Sequence, residues 1–91
     1  MTTAEQQWFV YMVRCADNTL YTGVTTCVER RVAEHNSSSK SARYTRARQP
    51  VELVYSETAN NRSRACQREA EIKCLPRKAK LLLIASATNS T

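Results

Sequence analysis

A chain of 91 residues is long enough for one domain and too short for two, so any reactive site must share residues with one modest core. Fourteen Lys and Arg against eight Asp and Glu leave a formal charge of +6, which points to a polyanionic partner, nucleic acid first. The four cysteines (Cys15, Cys27, Cys66 and Cys74) form no C-x-x-C pair and the chain has one His, which removes the zinc-knuckle patterns.

Met1 to Gln7 is polar and lacks the apolar run of an export signal, so free thiols in a reducing cytoplasm are expected. Trp8 to Cys15 (W-F-V-Y-M-V-R-C) is short, nearly all apolar and rich in aromatic and β-branched residues, as a buried strand is. Ala16 to Thr19 supplies turn chemistry, and Leu20 to Val24 reads as the second strand of a hairpin. Its Gly23 is the chain's only glycine, a position where the backbone needs what glycine alone allows. Thr26-x-x-Glu29 has the form of a capping box, which starts a helix just after Thr26. On that helix Val28 and Val32 face inward, Arg31 and His35 share a neighbouring face, and Arg30 can pair with Glu34.

Ser37 to Gln49 reads as a loop carrying Lys40, Arg43, Arg46 and Arg48 around Tyr44, with no acid. Val51 to Ser56 alternates like a third strand. Asn60 or Asn61 can cap a second helix running to about Leu75, with Ala65, Glu69 and Ile72 inward and Cys66 close by. Pro76 breaks it, and Arg77 to Ala85 predicts a third helix. Its closing run, Leu81 to Ala85, is far too short to cross a membrane. The expected fold is α+β, a small three-stranded antiparallel sheet with flanking helices in the order β-β-α-β-α-α. The domain should span residues 6–85, with 86–91 a frayed tail.

Hydrolysis of a phosphodiester requires an aimed and deprotonated water, balance for the growing negative charge, and a stabilised leaving oxygen. No G-x-S-x-G elbow is present, and no Cys has the context of a nucleophile. The candidates that remain are Tyr11 and Tyr21 on the paired strands, Arg31 and His35 on the next helix, and Glu69, an inward acid that needs a partner.

F-V-Y (Phe9 to Tyr11), placed ten residues ahead of Y-T-G (Tyr21 to Gly23), resembles the paired motif of the GIY-YIG nucleases. C-V-E-R-R-V-A-E-H-N (Cys27 to Asn36) is similar to that family's Arg-bearing helix. A-C-Q-R-E-A-E-I-K (Ala65 to Lys73) is similar to the helix with its metal-binding Glu. Y-T-G-V-T-T, V-E-R-R and K-x-A-R-Y-T match the short, single-domain bacterial branch. The resemblance implies a divalent-metal-dependent DNA endonuclease specific for branched or damaged structures, with DNA repair as its setting. In family terms Tyr21 takes a proton from the attacking water with Tyr11 nearby, and Arg31 contacts the scissile phosphate. His35 stands near the phosphate, Glu69 holds one Mg²⁺ (or Mn²⁺), and Gly23 lets the phosphate approach the strand. Lys40, Arg43, Arg46 and Arg48 would grip DNA phosphates, and Tyr44 would stack on a base. Val24 stands where some relatives have a Lys that assists the tyrosine, which favours the alternative of a non-catalytic nucleic-acid-binding module.

One geometric condition follows. If a two-residue Asp17-Asn18 turn set Cys15 opposite Leu20, Tyr11 and Tyr21 would point to opposite faces of the sheet. An odd-length loop or a bulge puts both on one face, as a shared site requires.

Overall fold

The computed structural model describes residues 7–37 and 40–88. The elements are β1 (Trp8–Arg14), β2 (Leu20–Thr25), α1 (Val28–His35), α2 (Arg43–Arg46), β3 (Glu52–Ala59), α3 (Arg62–Lys73) and α4 (Arg77–Thr88). The three strands form one antiparallel sheet in the order β2-β1-β3. The α+β architecture is as the sequence predicts, with α2 added as a single turn inside the basic segment.

The hairpin register pairs Arg14 with Leu20, Val13 with Tyr21 and Tyr11 with Gly23, leaving Cys15–Thr19 as the loop. That loop is odd in length, so Tyr11 and Tyr21 lie on one face. Asp17 shapes it by accepting from the backbone N–H of Thr19 at 3.1 Å, and Asn18 takes the left-handed conformation at φ 70. Asn tolerates that region because its short polar side chain hydrogen-bonds locally.

Because β1 is central and its side chains alternate, it feeds two cores. Val10 and Met12 face α3 and α4, where they meet Ala65 and Ile72, with Leu83 and Ile84 packed alongside. Tyr11, Val13 and Cys15 face α1 with Val51, and Val28, Val32 and Tyr21 close over them. β2 lies at the edge of the sheet, between the layers formed by α1 and α3.

Several boundaries differ from the sequence reading, each for a reason visible in the contacts. α1 begins at Val28, with Cys27 at the N-cap position and no side-chain cap. Thr25, not Thr26, binds there, its Oγ1 accepting from the Cys27 N–H at 3.1 Å, so no capping box forms. β3 runs to Ala59 rather than Ser56. Its Glu57 accepts from Arg68 Nε at 2.9 Å and from the Tyr55 hydroxyl, so an acid in the strand is paired rather than terminal. A bulge at Val54 shifts the β1–β3 register between Met12 and Val13. Asn61 caps α3, its side chain accepting from the Arg64 N–H at 2.9 Å. α4 continues to Thr88, past the Ala85 boundary, and residues 89–91 of the expected tail lie outside the described residues, as do Gln6 at the domain start and Ser38 and Ser39 of the basic segment.

Candidate active site

The hydroxyl of Tyr11 lies 2.6 Å from Nε2 of His35. On the far side of the ring, Nδ1 of His35 lies 2.8 Å from Oγ1 of Thr45, on α2. His35 and Thr45 have no exposed surface, and Tyr11 keeps only 1% of its own while still lining the cleft described below. Burial, then the neighbouring Tyr21, pushes the Tyr11 phenol up to about 12, while Arg31 pulls the other way. Burial, then the positive charge of Arg31, lowers His35 to about 4. Both groups are therefore neutral at pH 7.

His35 is thus behind Tyr11 rather than beside the phosphate position that the family resemblance implies. It closes the last turn of α1, and the Gln49 amide donates to its carbonyl at 2.7 Å and to that of Ser37 at 2.6 Å. Tyr21 packs edge-on to His35 with ring centroids 5.1 Å apart.

In front of the phenol lies an open cleft of about 410 Å³ lined by Trp8, Tyr11, Tyr21, Gly23, Val24, Arg31, Arg62, Cys66 and Glu69. It straddles the β2 edge, drawing Tyr11, Tyr21 and Gly23 from one face and Trp8 and Val24 from the other. The structure so brings together Tyr11, Tyr21, Gly23, Arg31 and Glu69, with His35 one layer beneath. Arg31 enters from α1, its Nη1 donating to Glu34 at 2.9 Å and to the Lys40 carbonyl at 3.1 Å. From α3 comes Glu69, one quarter exposed and 3.3 Å from Lys73. Arg62 and Cys66 share its helix face at spacings of seven and three residues, and Arg62 lies 5.8 Å from the Trp8 ring centre. Sequence reading left out Trp8, Arg62 and Thr45. The i, i+4, i+7 spacing of Arg62, Cys66 and Glu69 was the available signal for the second.

Gly23 does not have the left-handed backbone that usually demands glycine. A Cβ there would stand 2.5 Å from the Tyr11 hydroxyl oxygen and 2.7 Å from the ring carbon that bears it. The glycine therefore makes room first for the phenol, and this is a different reason from the phosphate approach expected of it. The ring has no free exit, being buried and tied to His35, so Gly23→Ala should cost roughly 1–3 kcal/mol by overpacking. Urea unfolding measures this, and an unchanged midpoint would contradict the packing described.

The basic segment divides. Lys40, Arg43 and Arg46 are exposed and outside the cleft lining. Arg48 is engaged internally. Its Nε donates to Asp17 at 3.0 Å, its Nη1 donates to the Tyr44 carbonyl at 2.8 Å, and its guanidinium sits 4.0 Å from the Tyr44 ring centre. Tyr44 also stacks on Tyr21 at 5.7 Å, so its ring already has two protein neighbours.

For a metal, the donor set is one carboxylate. Among the described residues no three His, Cys, Asp or Glu converge, which rules against a closed zinc-type cage there. A single cleft carboxylate does fit a hydrated hard cation, which keeps several waters and takes its other oxygens from a substrate phosphate. Val24, where some relatives have Lys, packs against the Val10 core.

Residues 7–81 match the GIY-YIG catalytic domain model. The chain belongs to the GIY-YIG catalytic domain family, a nuclease-type domain. It is similar to the UPF0213 protein of Desulfotalea psychrophila, 58% identical over 85 residues that cover 92% of this chain and 77% of that one. The UPF0213 protein of Natronomonas pharaonis is 56% identical over 80 residues, covering 88% and 93%. The solution NMR structure of the UPF0213 protein BH0048 from Bacillus halodurans superposes with a TM-score of 0.59 at 37% identity, covering 92% of this chain and 88% of that one. No helix among the described residues is long and apolar enough to cross a membrane.

Proposed function

We propose that this domain is a divalent-metal-dependent endonuclease that hydrolyses phosphodiester bonds in DNA and works in the cytoplasm. The observation that carries the reading is the Tyr11–His35 contact at 2.6 Å, set behind a cleft that also holds Arg31 and Glu69. That distance is short for an N–H···O bond and suits a phenol O–H donating to an imidazole lone pair. Tyr11 is then the residue that receives the proton of an attacking water, passing its own to Nε2 of His35 in the same step. The tyrosine stays neutral throughout, so its pKa near 12 is no obstacle. His35 supplies what Val24 does not. Its basicity is held down in part by Arg31, and a phosphate pairing with Arg31 would offset that charge and strengthen the acceptor.

Arg31, held by Glu34 and the Lys40 carbonyl, is placed to neutralise charge growing on the phosphate. Glu69 would hold the Mg²⁺ or Mn²⁺ ion, which when bound supplies positive charge at the leaving oxygen. Exposed Lys40, Arg43 and Arg46 would contact flanking phosphates without reading sequence.

Pure protein incubated with branched, nicked and linear DNA and Mg²⁺ or Mn²⁺ tests the proposal. Metal-dependent cleavage is expected, and it should disappear in Glu69→Ala and in Arg31→Ala. Cleavage that survives both substitutions would belong to a contaminant. Val24 in place of Lys favours a second reading, a binding module of the same fold, which predicts salt-sensitive DNA binding with no metal-dependent cleavage.

A further inference from the structure

We infer that Thr45, on the single turn α2, is a positioning residue that fixes the tautomer of His35 and so gives the proton transfer its direction. The inference rests on the nuclease reading above.

A threonine hydroxyl has one hydrogen to give. Thr45 Oγ1 is 3.2 Å from the Ala42 carbonyl oxygen and 2.8 Å from His35 Nδ1. With the imidazole neutral, only one arrangement gives every one of these contacts a hydrogen. Tyr11 O–H donates to Nε2, Nδ1–H donates to Thr45, and Thr45 O–H donates to the Ala42 carbonyl. Ala42 has a second lone pair for the Arg46 N–H, which reaches it at 2.9 Å. In the reverse arrangement Nε2–H would donate to the phenol oxygen and Thr45 would donate to Nδ1. The Thr45–Ala42 contact would then set lone pair against lone pair. The phenol hydrogen would lose its acceptor, and Nε2 would have no lone pair to receive a proton.

The surroundings hold Thr45 in place. It is wholly buried, and its neighbour Tyr44 is fixed between contacts to Tyr21 and Arg48, with Arg48 tied to Asp17. The same segment presents the Lys40 carbonyl to Arg31. What reads in sequence as a phosphate-gripping loop therefore also supports the buried half of the site. A base oriented by a third group through its other ring nitrogen is a recurrent arrangement, and a wrong tautomer there costs orders of magnitude in rate.

The test uses the full chain and its Thr45→Val and Thr45→Ser variants. Imidazole ¹⁵N spectra at neutral pH report which ring nitrogen of the single His carries the lone pair, independently of any cleavage. In the wild type and in Thr45→Ser, the lone pair should be on Nε2. In Thr45→Val it should move to Nδ1, with the turnover rate down on the order of 10²-fold or more, KM little changed, and Thr45→Ser close to wild type. A wild-type lone pair on Nδ1 would overturn the assignment. So would a switched tautomer in Thr45→Val with undiminished cleavage, since direction of transfer would then not depend on it. If the wild type cuts nothing while the spectra show the expected tautomers, the nuclease reading fails and the Thr45–His35 bonding stands.

Discussion

Tyr11→Phe should lower the cleavage rate roughly 10³-fold, while Tyr21→Phe should lose far less. Among the described residues, Tyr11 alone both lines the cleft and bonds Nε2 of His35, and Tyr11→Phe takes that hydroxyl away. Tyr21 contributes its ring, edge-on to His35 and stacked on Tyr44, and phenylalanine keeps that ring. This reverses the order of the two tyrosines that family resemblance suggests. Phenylalanine at position 11 leaves the Nε2 lone pair buried without a donor, a loss of about 1–3 kcal/mol, so the fold should survive. Single-turnover rates at saturating metal, read beside urea unfolding of each variant, separate the two effects. If Tyr21→Phe proved the more damaging, the proton acceptor would have to be Tyr21, and His35 would lose its assigned part.

The second large effect is on stability in mild acid. An unfolded His titrates near its ordinary 6.5, whereas folded His35 is held down to about 4. Between those values the unfolded chain binds a proton that the folded chain does not. Stability therefore rises with pH across that interval. The contribution is complete above about 6.5 and is lost as pH falls to about 4, amounting to about 3 kcal/mol. That is a large share of the 5–15 kcal/mol typical of whole domains. His35 is the only His in the chain, so this interval reports on it with little interference. Carboxylates held low by partners, such as Glu34 bonded to Arg31, act at more acidic pH. Urea midpoints should hold level from pH 7.5 to about 6.5 and then fall towards pH 5 at constant ionic strength, and His35→Gln should flatten that fall. A flat wild-type profile would mean that His35 is not held neutral by burial.

The fold was legible because periodicity and punctuation agree. β1 and β2 announce themselves as apolar runs around a turn, and Pro76 separates α3 from α4. The elements that escaped are those whose cause is not local. α2 is a four-residue turn, too short to show a helical period, and its place comes from Tyr44 stacking on a tyrosine of β2. The extension of β3 through Glu57 depends on an arginine eleven residues on. At the site, the helix spacing of Arg31 and His35 and the inward position of Glu69 could be read. Which tyrosine hydrogen-bonds His35 could not, since the partners lie 24 residues apart and only the register of the hairpin decides it. Val24 leaves the tyrosines without an activating Lys in sequence, and the contact of the Tyr11 hydroxyl with buried His35 is one that only the fold supplies. Gly23 stands out in sequence as the sole glycine, but its neighbour at close range is a side chain from the adjacent strand.

The position of Tyr11 on the central strand has a consequence for how the site comes apart. Its flanking residues Val10 and Met12 are fully buried, and its strand is bonded on both sides. Amides of such a strand exchange with solvent only through opening of the whole domain. Thr45 and the Lys40 carbonyl, by contrast, sit on a short segment outside the sheet, held by side-chain contacts and by the Ala16 N–H reaching the Arg48 carbonyl at 2.9 Å, a smaller set of bonds that a smaller opening can release. The phenol is thus bound to the most persistent part of the molecule, and its imidazole partner is bonded to a part that a smaller opening can release. Reactivity and foldedness would then be governed by two different free energies.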